Sequence, residues 1–223
     1  MTVERLSRRG SMILAAALLS VHLYAQKPSP SAKELAARVD QHYNQLHSLK
    51  AEFVENYQGM GVKRTESGTL LLLKPGRMKW EYSSPAGKLF LLDGKYAWFY
   101  TRGDAQVQRI PAKEMDDLRS PLRFLLGHTE LEKEMDSLTV AAAANGGFTL
   151  SGQPKGQEER IKRLTLTVTP DGTINAIEME ETDGALTHFS FTGEVANAPV
   201  PAGTFQFTAP AGVPVVNALP QGQ

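Results

Sequence analysis

Apolar and polar positions change their period along this chain, and the changes mark its elements. Ser31-Ala32-Lys33-Glu34 forms a capping box, and Leu35, Val39, Tyr43 and Leu46 follow at spacings of three or four, which predicts a helix with one apolar stripe. After Ser48 the period becomes two. Ala51, Phe53 and Tyr57 share one strand face, Gly59-Met60-Gly61 turns, and Val62 to Lys74 returns. From Ser67 to Tyr100 the pattern is a meander of apolar runs: Leu70 to Leu73, Met78 to Tyr82, and Leu89 to Leu92 leading into Tyr96 to Tyr100. Pro75-Gly76, Ser83 to Gly87 and the hairpin signal Asp93-Gly94 separate these runs. Met78, Trp80 and Tyr82 alternate with Arg77, Lys79 and Glu81, giving that strand one apolar and one wet face.

Ala105 to Ile110 reads as a sixth strand. Ser120-Pro121 is then a cap followed by proline at the first helical position, opening a short apolar helix, Leu122 to Leu126, that ends at Gly127. Such a helix serves either as ordinary core or as a movable cover over a cavity. Thr129 to Leu138 carries many charges and reads as a solvated helix. Strands resume over Thr139 to Ala143, Phe148 to Ser151, Ile161 to Thr169, Ile174 to Glu181 and Leu186 to Thr192, with Lys155 to Lys162 a polar loop. The tail after Pro199, with Phe205 and Phe207, suggests one last short strand. No composition break divides the chain. The expected fold is α+β: one domain, residues 26–223, built on an open, incomplete antiparallel β-barrel of about eleven strands with a helical lid.

The first 25 residues stand apart. Arg5, Arg8 and Arg9 precede an apolar run from Met12 to Leu23, and Leu23-Tyr24-Ala25 offers a cleavage site, so residues 1–25 are expected to be a signal peptide that is removed after export. Ser7-Arg8-Arg9 also fits a twin-arginine signal; the ordinary secretory reading is preferred. The whole chain balances 24 basic against 24 acidic residues, which gives no electrostatic pull toward nucleic acid. It has no cysteine, which removes disulfides, thiolate metal sites, a cysteine nucleophile and lipid attachment through a cysteine.

Catalytic chemistry finds no foothold in the motifs. His42, His47, His128 and His188 stand in no metal-ligand spacing, no G-x-S-x-G occurs, and phosphate and dinucleotide loops are missing. Glu178 and Glu180 could do acid-base work but alternate on a strand, as a solvated face would. The expectation is a non-enzyme without metal or cofactor. What remains is an unusual placement of large apolar side chains around a concave sheet, which suits an apolar ligand.

Ser48-Leu49-Lys50-Ala51-Glu52-Phe53, Gly68-Thr69-Leu70, Lys74-Pro75-Gly76-Arg77-Met78-Lys79-Trp80 and Asp93-Gly94-Lys95 through Tyr100 resemble the periplasmic outer-membrane lipoprotein carrier family, LolA. So do Ser120-Pro121-Leu122 through Leu126, Asp171-Gly172-Thr173-Ile174 and Phe205-Gln206-Phe207-Thr208-Ala209-Pro210. The resemblance spans nearly the whole chain after residue 25. It implies an unclosed barrel whose apolar cavity, under a helical lid, shelters the acyl chains of lipoproteins. An inner-membrane ABC transporter releases that cargo, and an outer-membrane acceptor receives it. The implied partners are therefore lipoproteins, transporter and acceptor, with a monomeric carrier in the periplasm. In the family, an arginine before the proline of one turn helps to hold the lid shut. Here that position is Lys74, with Arg77 beyond the turn, and lysine lacks the planar donor fork of arginine. The acceptor of the same fold displays an apolar loop; Ser83 to Gly87 is small and polar here, so carrier is preferred to acceptor. A lipid-binding or lipid-sensing periplasmic module on the same scaffold is the alternative.

Pairing across Asp93-Gly94 as the loop sets Leu92 opposite Lys95, Leu91 opposite Tyr96 and Leu89 opposite Trp98. With Lys88 and Lys95 assigned to the wet face, the expected cavity set is Phe53, Leu71, Met78, Trp80, Leu89, Leu91 and Trp98, joined by Phe124, Leu125 and Leu126 from the lid. Burying an acyl chain against them gains roughly 0.8 kcal/mol per methylene.

Overall fold

A computed structural model describes residues 29–117 and 127–217. Its first element is helix α1, Ala32–Asn44, started by the capping box: Ser31 Oγ accepts from the Glu34 amide at 3.2 Å, and Glu34 Oε2 accepts from the Ser31 amide at 2.8 Å. Leu35, Ala36, Val39 and Tyr43 form its buried stripe.

Six strands follow: β1 (Ser48–Gly59), β2 (Val62–Leu73), β3 (Arg77–Ser84), β4 (Lys88–Leu92), β5 (Tyr96–Thr101) and β6 (Val107–Pro111). A 3₁₀ turn, Ala112–Asp117, comes next. After the short helix α2 (Leu131–Glu134) come β7 (Met135–Ala142), β8 (Phe148–Pro154), β9 (Ile161–Val168), β10 (Ile174–Glu181), β11 (Leu186–Ala196) and β12 (Val215–Asn217). All twelve strands form one sheet in the order β12-β6-β5-β4-β3-β2-β1-β11-β10-β9-β8-β7. It consists of two antiparallel meanders joined where β1 pairs β11, with β12 added parallel to β6. Its margins, β7 and β12, do not pair with each other, so the barrel stays open.

Helix α1 lies in the concavity. Gly172, in the β9–β10 turn, has φ +97, and a Cβ there would sit 2.4 Å from the Arg38 carbonyl oxygen, so only glycine lets the helix come this close. Tyr43 Oη accepts from the Ile174 amide at 2.9 Å and donates to Glu194 at 3.1 Å, tying the end of α1 to β10 and β11. The main core gathers α1 with the concave faces of both meanders.

The described residues form twelve strands against the eleven or so expected, and the short strand expected in the tail is Val215–Asn217. Two sequence expectations change. Thr129 to Leu138 is mostly not helical: α2 covers four residues and β7 begins at Met135. A bulge explains the misleading pattern. Ser137 has φ 54 and the register shifts between Asp136 and Thr139, so Met135 and Leu138 both face the core at a helix-like spacing of three. The second change is the β4–β5 register. Asp93 pairs with Tyr96, and Gly94 (φ 95) and Lys95 are the loop residues. Asp93 Oδ1 accepts from the amides of Lys95 and Tyr96, both at 2.7 Å, and so builds the turn itself. The partners become Leu91 with Trp98 and Leu89 with Tyr100.

Candidate ligand-binding site

The concave face carries a lane of aromatic rings. On β1 the inward positions are Leu49, Ala51, Phe53 and Glu55; on β2 they are Leu72, Leu70, Gly68 and Glu66. β3 contributes Met78, Trp80 and Tyr82, β4 Phe90, β5 Phe99, and β11 Phe189 and Phe191. Phe53 meets Trp80 edge-on at 4.5 Å and Tyr82 at 5.1 Å; Trp80 meets Phe189 at 5.4 Å; Phe90 meets Phe99 at 4.9 Å. Gly68 sits at a register shift, and a Cβ there would fall 2.1 Å from the Glu81 carbonyl oxygen. Phe53 and Trp80 are fully covered, whereas Tyr82, Phe90, Phe99 and Phe191 are half-buried and form the accessible part of the lane.

At one end the lane meets α1, where a cavity of about 10 Å³ is lined by Tyr43, Leu46, Ser48, Leu49, Leu72 and Lys74. At the other end lies a row of charges. Glu55 and Glu66 face each other across β1 and β2 and are almost wholly buried. Arg64 reaches Glu55 at 3.5 Å and Glu66 at 3.3 Å, and Lys88 pairs with Glu66. Lys88 Nζ also sits 4.3 Å above the Tyr82 ring, and Arg64 lies 5.2 Å over that of Tyr57. Burial, and next the neighbouring Glu66, push the Glu55 carboxyl above its ordinary value. Burial also raises the Tyr82 phenol.

Phe53, Met78 and Trp80 therefore lie together on the concave face. Leu71, Leu89, Leu91 and Trp98 do not join them. Met78 pairs with Leu92 and Trp80 with Phe90, which puts Leu89, Leu91 and Trp98 on the convex side, and Leu71, next to the concave Leu70 and Leu72, is there too. On that side Trp98 packs 5.2 Å from Phe207 and donates to Asp93 Oδ2 at 2.7 Å, while Phe205, Val107 and Leu91 are buried apart from the main core. The observed face differs from the expected one because Lys88 does not belong to the wet side. It belongs to the concave row, where Glu66 receives it. Phe124, Leu125 and Leu126 fall outside the described residues. Lys74 Nζ donates to the Tyr43 carbonyl at 2.8 Å, so among its described contacts it holds the last turn of α1; burial lowers its pKa. Arg77 sits beside the Gly94 turn. The sequence reading missed Tyr82, Phe90, Phe99, Phe189 and Phe191 as site residues; the alternation Phe189-Ser190-Phe191 was the available signal for the last two.

Among the described residues no group of three or more His, Asp or Glu side chains is placed to hold a metal ion, and no helix is long and apolar enough to cross a membrane. The family model "Outer membrane lipoprotein carrier protein LolA" matches residues 44–208. The outer-membrane lipoprotein carrier protein of Chromobacterium violaceum is 30% identical over 207 residues, covering 92% of this chain and 96% of that protein. That of Nitrosospira multiformis is 28% identical over 174 residues, covering 76% and 82%. An uncharacterized conserved protein from Thermus thermophilus shares the fold at a TM-score of 0.53 with 14% identity, covering 84% of this chain and 99% of that one. With the family's pattern running through three quarters of its length, on an open sheet wrapped around a helix, this chain belongs to the LolA family of outer-membrane lipoprotein carrier proteins.

Proposed function

We propose that this protein is a periplasmic carrier that takes up the acyl chains of lipoproteins on its concave aromatic lane and moves them from the inner to the outer membrane. Residues 1–25 direct export and are then removed, and the remainder works as a single soluble, monomeric domain. An inner-membrane ABC transporter loads it and an outer-membrane acceptor unloads it. The observation that carries this reading is membership in the lipoprotein carrier family combined with accessible rings, Tyr82, Phe90, Phe99 and Phe191, on the hollow side of an unclosed sheet. Phe53, Met78 and Trp80 form the base of the lane. Each buried methylene contributes roughly 0.8 kcal/mol, so a short run of contacts reaches micromolar affinity without any catalytic group.

Depletion followed by membrane fractionation tests the reading. Lipoproteins stranded in the inner membrane are expected. Correct sorting in depleted cells, with free lipid co-purifying with the protein, would transfer the case to a lipid-binding module.

A further inference from the structure

The hairpin between β1 and β2 ends in a residue that folding does not explain. Gly59 pairs with Val62, so Met60 and Gly61 are the whole loop, and both have positive φ, 50 and 77. Such a turn is ordinarily built from Asn-Gly, because asparagine tolerates the left-handed region that most side chains enter at a cost. Met60 is also 88% exposed, more than any other large apolar side chain among the described residues, and Val62 beside it is 53% exposed. Backbone strain and bare apolar surface thus fall on one residue. Neither adds to the core.

The tip stands clear of the sheet. β3 pairs with β2 only from Ser67 onward, so Val62 to Glu66 project beyond its end, and β11 supports β1 no further than Gln58. Going back from the tip, the cross-strand pairs are Gly59 with Val62, Gln58 with Lys63 and Tyr57 with Arg64. Lys63 is exposed, and the half-exposed Arg64 lies 5.2 Å over the Tyr57 ring. Three residues of strand separate Met60 from Tyr57, roughly 10 Å at the usual rise. In the adjoining β10–β11 turn, Asp183 accepts from the Ala185 amide at 2.9 Å, and Leu186, opposite Gln58, is another exposed apolar side chain.

We propose that the β1–β2 hairpin is a foot that touches a phospholipid bilayer, Met60 and Val62 dipping below the headgroups while Lys63 and Arg64 meet their phosphates. Interfacial apolar side chains sink roughly 5–10 Å into the boundary between headgroups and acyl chains, with tyrosine and the cations held at headgroup level. The spacing from Met60 back to Tyr57 and Arg64 follows that profile. A pocket on another protein would accept the same apolar knob but would give no reason for the cations behind it. The tip lies outside the concave lane, so the contact does not depend on what the lane carries. Two inserted side chains make it brief and reversible.

The test sediments the full-length mature protein with vesicles of phosphatidylcholine and phosphatidylglycerol at low salt and reads the partition coefficient. Met60→Asn is expected to lower it about tenfold, since one large apolar side chain no longer leaves water. Lys63→Gln should lower it about fivefold, the effect of one cation at an anionic surface. Met60→Asn should melt no lower than the unmodified protein, because asparagine suits the turn, so its loss of binding is not a loss of folding. If the unmodified protein does not sediment with these vesicles, the bilayer is overturned and a pocket on another protein takes its place. Binding that Met60→Asn leaves unchanged overturns the assignment to the hairpin, and binding that Lys63→Gln leaves unchanged overturns the part given to the cations.

Discussion

The two faces of the sheet are both apolar in their central strands, yet they are covered in different ways. On the concave face, helix α1 and both meanders converge, and Phe53, Trp80, Met78 and Leu70 are buried in one continuous core. On the convex face, a patch around Leu91, Val107 and Trp98 is covered by the tail, with Phe205 buried and Phe207 packed at a tilt 5.2 Å from Trp98 and 6.2 Å from Tyr100. Strand β12 holds that tail through three residues, and Arg109 reaches Asn217 at 2.8 Å. One covering is a continuous core shared by helix and both meanders, the other a strap of tail residues over a separate patch. The difference shows that an apolar strand face locates a cover, not a ligand.

The comparison can be tested by removing rings. Phe53→Ala should cost about 3–5 kcal/mol in denaturant unfolding, the range for a fully buried aromatic side chain. A loss no larger than that of a surface substitution would break the claim that the concave side is the core. Phe207→Ala, half-buried in the tail, should cost about 1–2 kcal/mol and leave the cooperativity of unfolding unchanged. If it matched Phe53→Ala, the strap would have to be counted as core.

The smallest effect concerns how α1 is held. Asp40 accepts from the Leu131 amide at 3.1 Å, and Asn44 exchanges hydrogen bonds with the Thr129 backbone at 2.8 and 2.9 Å. Desolvation pushes the Asp40 carboxyl up to about 6. A carboxyl whose pKa is higher when folded than when unfolded binds more protons in the folded state between those two values, so stability rises as pH falls through about 6 and the penalty is fully present above it. Asp40→Asn should therefore raise the melting temperature slightly at pH above about 6, with the gain fading toward pH 4. A gain that is flat with pH would place the carboxyl in solvent.

Much of this architecture is legible in local chemistry. Ser31 and Glu34 mark the start of α1, and Met78-Lys79-Trp80-Glu81-Tyr82 alternates because β3 has an apolar and a polar side. Leu70 to Leu73 and Leu89 to Leu92 do not alternate, and the structure gives the cause. Strands covered on both faces read as continuous apolar runs, so periodicity says that they are central and nothing about which side faces the hollow. The tail that covers the convex side lies more than a hundred residues downstream of Leu91 and Trp98. No local pattern could announce it. Lys88 shows the same limit: a lysine reads as wet until its buried partner, Glu66, is known.

The unjoined margins, β7 and β12, have a mechanical consequence. A closed ring of strands has a bore fixed by strand number and stagger, and widening it means breaking a ladder. A sheet with two loose ends can uncurl or tighten through small changes of twist shared over twelve strands, keeping every rung intact. The width of the hollow is then not locked by the strand ladder.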